Sequence, residues 1–146
     1  MTVRRALQVL VGCMAAVPMV ALAYISPGAP KGLFNDFAGA LKDADRGVIE
    51  NQLLTIQKET SAEIAVVIVP TIGTNETIET YAVKLFEEWG IGERGKDNGL
   101  LLLVAVEDRQ MRIEVGYGLE GIITDLQANQ IITDILAPAF IWFARP

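Results

Sequence analysis

Four stretches of the chain carry the hydrophobic patterning of strands, and three more repeat their apolar residues at helical spacing. Leu100 to Val106 is an unbroken apolar run, as in a strand covered on both faces. Glu107-Asp108-Arg109-Gln110 is polar and marks a reversal. Beyond it Met111, Ile113 and Val115 alternate with Arg112 and Glu114, the pattern of a half-buried strand at the margin of a sheet. These two strands form an antiparallel hairpin. Glu63 to Pro70 is β-branched and almost wholly apolar, a further buried strand stopped by its proline. Leu33 to Phe37 reads as a short strand end that leads into a turn.

Helices fill the intervals. Asp43 is the expected N-cap of the first, which places Leu41, Ala44, Val48, Ile49, Leu53 and Ile56 on one face and stops at Thr60-Ser61. Thr74 or Asn75 is the expected cap of the second, with Glu76 and Glu79 near the positive end of its dipole. Its core stripe is Ile78, Tyr81, Ala82, Leu85, Phe86 and Trp89. Thr124-Asp125-Leu126-Gln127 is a capping box for a third helix with Ala128, Ile131, Ile132, Ile135 and Leu136 on its apolar face and Pro138 at its end. The order strand, helix, strand, helix, strand, strand, helix specifies an α/β fold. Its expected form is a three-layer α/β/α sandwich around a mixed, mostly parallel sheet with one antiparallel hairpin.

Composition redraws the two ends of the 146-residue chain. Apolar residues make up 51% of it, enough for one domain with a core. Some of that content belongs to Ala6–Ala23, a charge-free segment behind basic Arg4-Arg5 that closes on Ala21-Leu22-Ala23. This is the pattern of a secretory signal peptide over residues 1–23, cut after Ala23, or of an uncleaved N-terminal anchor. The expected location is therefore an exported one: the periplasm, the cell envelope or a compartment resembling the thylakoid lumen. Tyr24 to Gly32 is rich in proline and glycine and reads as a linker. Residues 33–140 form the domain, and the apolar stretch 141–146 ends abruptly.

Cys13 falls in the leading segment and no histidine occurs in the chain, which excludes disulfides, thiol nucleophiles and imidazole chemistry from the mature domain. Without Arg4 and Arg5, ten basic residues face 18 acidic ones, a balance of −8. So acidic a domain suits cations and not nucleic acid.

The candidate chemistry clusters around the hairpin. The Asp97 carboxylate and the Asn98 carbonyl oxygen are hard donors for a metal ion, although Asn98-Gly99 is equally a turn pair. Gly116, Gly118 and Gly121 match the dinucleotide spacing formally. Ile122 and Ile123 separate the last glycine from the helix cap and no later strand completes the unit, so these glycines are expected to allow positive φ and close packing around Tyr117. Asp43-Ala44-Asp45 lacks the apolar strand that an aspartyl-phosphate nucleophile requires and reads as a helix start. Arg109 and Arg112 are possible forked phosphate donors, or surface charges paired with Asp108 or Glu114. Any hydrolysis here would need a carboxylate-held metal, and the missing imidazoles favour Ca²⁺ or Mg²⁺.

Three segments carry a family resemblance. L-F-N-D-F-A-G-A-L at 33–41, W-G-I-G-x-x-x-x-D-N-G-L-L-L-L from Trp89 to Leu103, and D-R-x-x-R-I-E-x-G-Y-G-L-E-G from Asp108 to Gly121 followed by Asp125 resemble the TPM-domain family. That family includes thylakoid-lumen phosphatase-like proteins, photosystem II repair factors and bacterial envelope proteins of YgcG type. The resemblance implies an α/β/α sandwich exported across or held at a membrane, divalent-cation binding in some members and weak acid phosphatase activity in plant members. It adds Asp36 and Asp125 to Asp97 and Asn98 as metal-ligand candidates, with loops that converge at one end of the sheet; Glu120 is a further acid there. Asp125 also has a plain role at a helix N-terminus. The functions implied are an assembly or maintenance module for membrane or envelope proteins, a weak metal-dependent phosphatase, or a purely structural domain.

Overall fold

A computed structural model describes residues 24–140. The expected signal segment 1–23 and the closing stretch 141–146 lie outside the described residues. The elements run β1 (Phe34–Asp36), α1 (Asp43–Thr60), β2 (Glu63–Val69), α2 (Ile78–Trp89), β3 (Gly99–Ala105), β4 (Gln110–Val115), a 3₁₀ turn (Tyr117–Leu119), α3 (Asp125–Gln130), a π turn (Ile131–Leu136) and α4 (Ala137–Phe140). The strands form one sheet in the order β1-β2-β3-β4, parallel through β3 and antiparallel at the β3–β4 hairpin. Among the described residues no helix is long and apolar enough to cross a membrane.

Period-two alternation divides the core. Ala65, Val67, Val69, Leu101, Leu103 and Ala105 face Tyr81, Ala82 and Leu85 of α2. Leu100 and Ile113 on the opposite face meet Ala128 of α3, with Ile131, Ile132 and Leu136 packed against them. Helix α1 also lies on that second face, because its Arg46 reaches Asp36, whose side chain points away from the Asn35–Val67 row. The β1–β2 and β2–β3 crossovers step in the same direction but carry their helices on opposite faces. They therefore have opposite hands, and one of them departs from the right-handed rule for such connections.

Several boundaries differ from the sequence reading. Lys42, not Asp43, occupies the N-cap of α1, and Asp43 is the first helical residue. Of the expected α1 core face only Leu53 is buried; Val48 is 58% exposed and Ile56 37%. Polar anchors set the helix's rotation. The Glu50 carboxylate accepts the N–H groups of Leu33 and Phe34 at 3.1 and 2.7 Å, and Arg46 holds Asp36. Helix α2 is capped by Thr77, not Thr74 or Asn75, because Thr80 completes a reciprocal pair of hydrogen bonds with it. The expected Thr124–Gln127 box does cap α3, and Ile123 staples against the cluster that holds Ala128. Pro138 does not end that helix. The chain widens into the π turn, with the Ala137 N–H bonding Ile132 five residues back, and continues as α4. This change of pitch relieves the conflict proline makes with the carbonyl four residues earlier, and it turns Ile135 out to 63% exposure.

The segment read as a linker is a strap along α2. Tyr24 and Ser26 each donate a 2.7 Å hydrogen bond to Glu88, Tyr81 Oη donates to the Ile25 carbonyl and Trp89 Nε1 to that of Gly28. The Tyr24 and Tyr81 rings meet edge-on with centroids 4.8 Å apart. Burial, and then the Glu88 carboxylate beside it, push the Tyr24 phenol well above its ordinary range; burial raises Tyr81 to about 12.

Candidate functional site

Three parallel strands give the sheet one end where they finish and another where they begin. Asp36 stands at the finishing end, level with Ile68 and through it with Val104. Its side chain is fully buried. One oxygen accepts the N–H groups of Ala38 and Ala40, both at 3.1 Å; the other accepts that of Leu41 at 2.9 Å and meets Arg46 Nη2 at 3.0 Å. Four donors fill the roughly four acceptor positions of a carboxylate. Arg46 is fixed in turn by the Leu41 carbonyl at 3.0 Å and by Asp43 at 3.4 Å. Asp36 is thus the organiser of the β1–α1 turn.

Asp97 and Asn98 precede β3 and so lie at the opposite end. Asn98 joins three segments: its side-chain Oδ1 accepts the Glu93 N–H at 2.8 Å, Nδ2 donates to the Ser61 carbonyl just past α1, and its backbone carbonyl accepts the Glu63 N–H that opens β2. Asp97 sits beside this clasp with φ +49°, left-handed backbone that non-glycine residues seldom adopt, and it is exposed. Its N–H bonds the Glu93 carbonyl at 3.0 Å and its own carbonyl accepts the Gly118 N–H at 2.9 Å.

The Gly116-Tyr117-Gly118 turn presses directly on this loop. A Cβ on Gly116 would strike the Asp97 carbonyl, and one on Gly118 the Lys96 carbonyl. Close approach is the reason for both glycines. Gly116 has φ −65°, so the positive φ expected of it is absent, and Tyr117 is 80% exposed instead of forming a packing centre. Asp125 is an exposed first-turn residue of α3. With Glu120 it lines a groove beside Val115, whose partner Leu100 follows Gly99, and so lies toward the Asp97 end of the sheet.

The four expected ligands are therefore not brought together. Asp36 is separated from Asp97 by the length of the strands, and the loops do not converge as expected. Among the described residues no three acidic side chains gather in a form that could hold an ion. Arg112 pairs with Glu114 at 3.2 Å. The perturbed carboxylates lie elsewhere. Lys84, then Thr80, lower the pKa of Glu76, and helix-start hydrogen bonds lower that of Glu79.

Sequence reading missed Glu50, Glu88 and Asp108, each of which binds a distant loop. Asp108 accepts from Thr71 Oγ1 at 3.1 Å and from the Ile72 N–H at 2.8 Å, tying the hairpin to the loop after β2. Nothing local distinguishes these acids from solvated ones.

The family model described as the TPM domain matches residues 34–141. The chain belongs to the TPM-domain family. This TPM domain is similar to the N-terminal domain of a protein from P. gingivalis solved by NMR, with 34% identity, a TM-score of 0.73, and coverage of 84% of this chain and 82% of that one. It also shares its fold with an N-terminal domain from Corynebacterium glutamicum at 18% identity and a TM-score of 0.59, over 84% and 79% of the two chains. No curated protein matches it.

Proposed function

We propose that this TPM domain is an exported binding module that holds a divalent cation, Ca²⁺ or Mg²⁺, at the Asp97 end of its sheet and serves the assembly or maintenance of membrane or envelope proteins. The supporting observation is Asp97 itself. Its carboxylate is exposed on left-handed backbone, in a loop locked from both sides by Asn98 and Gly118. Such strain persists where surrounding structure over-determines it, and it concentrates at functional positions.

Asp36 and Asn98 drop out of the ligand set because their acceptor oxygens are already engaged. Asp97 and Asp125 remain. Calcium takes about six to eight oxygen ligands, so water would fill most of the shell and the affinity would be weak, on the order of millimolar. The binding reading outranks hydrolysis because Asp97 stands on an open loop and Asp125 shares only a shallow groove with Glu120, so no enclosed cleft surrounds either acid.

Thermal melts with and without millimolar Ca²⁺ or Mg²⁺ test this. A ligand that binds only the folded state raises the Tm by mass action. The expected result is a rise in wild type that Asp97→Ala loses. No rise in wild type sinks the cation site, and turnover of a phosphomonoester that Asp97→Ala abolishes would replace the module with an enzyme.

A further inference from the structure

The two edges of the sheet are finished differently. At β1 the Glu50 carboxylate covers the outward N–H of Phe34. At β4 the hydrogen-bond parity leaves the edge open. Gly116 N–H bonds the Gly99 carbonyl, and Glu63 and Val106 N–H groups bond between β2 and β3 through Asn98 and Val69. The odd-numbered residues of β3 thus pair with β4, through Gln110, Arg112 and Glu114. The N–H and C=O groups of Met111, Ile113 and Val115 consequently face away from the sheet.

We infer that this edge pairs with β4 of a second copy of the chain, antiparallel and centred on Ile113, to make one continuous sheet. The charges select that register. With Ile113 opposite Ile113, Arg112 of each copy stands opposite Glu114 of the other in the closer, non-hydrogen-bonded pairs. A shift that centres the pair on Arg112 or Glu114 opposes like charges. The same register carries the exposed Arg109 of one copy toward the Glu120 and Asp125 groove wall of the other. The strand is self-complementary in backbone and in charge, independently of any cation.

Sedimentation equilibrium of the full chain, from low micromolar to several hundred micromolar in one non-ionic detergent, reads the outcome. Wild type should rise from the 15.8 kDa monomer toward twice that mass. Arg112→Glu and Glu114→Arg each oppose like charges across the pair and should weaken association by roughly tenfold or more. Mixed in equal amounts, these two variants restore both cross-strand pairs, though neither regains its internal one, and the heavier species should return. Met111→Pro removes an outward donor at a position where an edge strand tolerates proline, retains the N-terminal segment and should stay monomeric. The charge variants carry the test if that proline unfolds the chain. Wild type monomeric throughout, a dimer that survives Met111→Pro, or a mixture no heavier than its components would overturn the proposal.

Discussion

Asp36 and Asp97 are both acids beside a strand terminus, and the two ends of the sheet use them in opposite ways. Asp36 is buried under four donors and shapes the turn that launches α1. Asp97 contributes only its backbone to its loop, and its carboxylate faces solvent. Residue type did not decide this. The difference lies in the donors each loop supplies: the N–H groups of Ala38, Ala40 and Leu41 and a guanidinium fold back over Asp36, whereas at the other end Asn98 does the joining and leaves its neighbour free. A carboxylate surrounded by donors holds a fold together, and one lifted out by its neighbours is open to a ligand.

The same chemical change made at both ends should break this symmetry. Asp36→Asn puts an amide donor among donors and removes the charge that Arg46 pairs with, and it should cost about 3 kcal/mol in urea denaturation, the low end for a broken buried ion pair because Arg46 is only partly buried. Next is Gly118→Ala, which forces a methyl into the Lys96 carbonyl and should cost about 1–3 kcal/mol by the same assay, as overpacking does. A smaller effect belongs to the strap, which neither acid organises. The Tyr24 and Tyr81 phenols titrate above their unfolded value of 10.0, Tyr81 at about 12, so their contribution is full below pH 10 and is lost as pH rises through the folded values. Tyr24→Phe should flatten that alkaline fall in a Tm-against-pH series. Smallest of all is Asp97→Asn, expected to change stability by under about 0.5 kcal/mol as an exposed substitution does, while abolishing the Tm response to cation. A large loss of stability there would erase the contrast between the ends.

The sequence revealed the sheet more fully than the site. Runs such as Leu100–Val106 and the Met111–Val115 alternation encode burial directly, since side-chain direction in a strand follows period two. Helix α1 was harder. Val48 and Ile56 share a face with Leu53 in projection, but Arg46 and Glu50 fix the rotation through contacts with β1, which helical spacing does not record. The motifs around Asp97 and Gly116 were recognisable, yet their joint meaning depended on which end of a parallel sheet each loop joins. The contacts of residues 24–32 with α2 were equally hidden in the sequence. Proline and glycine suggested slack, while Tyr24 and Ser26 found a partner in Glu88 more than sixty residues away.

The division of labour between the two ends can be read in one titration. Backbone amide resonances followed through increasing Ca²⁺ should shift at Asp97, Asn98, Gly99 and Gly118 and stay fixed at Ala38, Ala40 and Leu41, whose N–H groups are bonded to Asp36. Shifts centred on Ala38 to Leu41, with the Asp97 loop silent, would contradict the account.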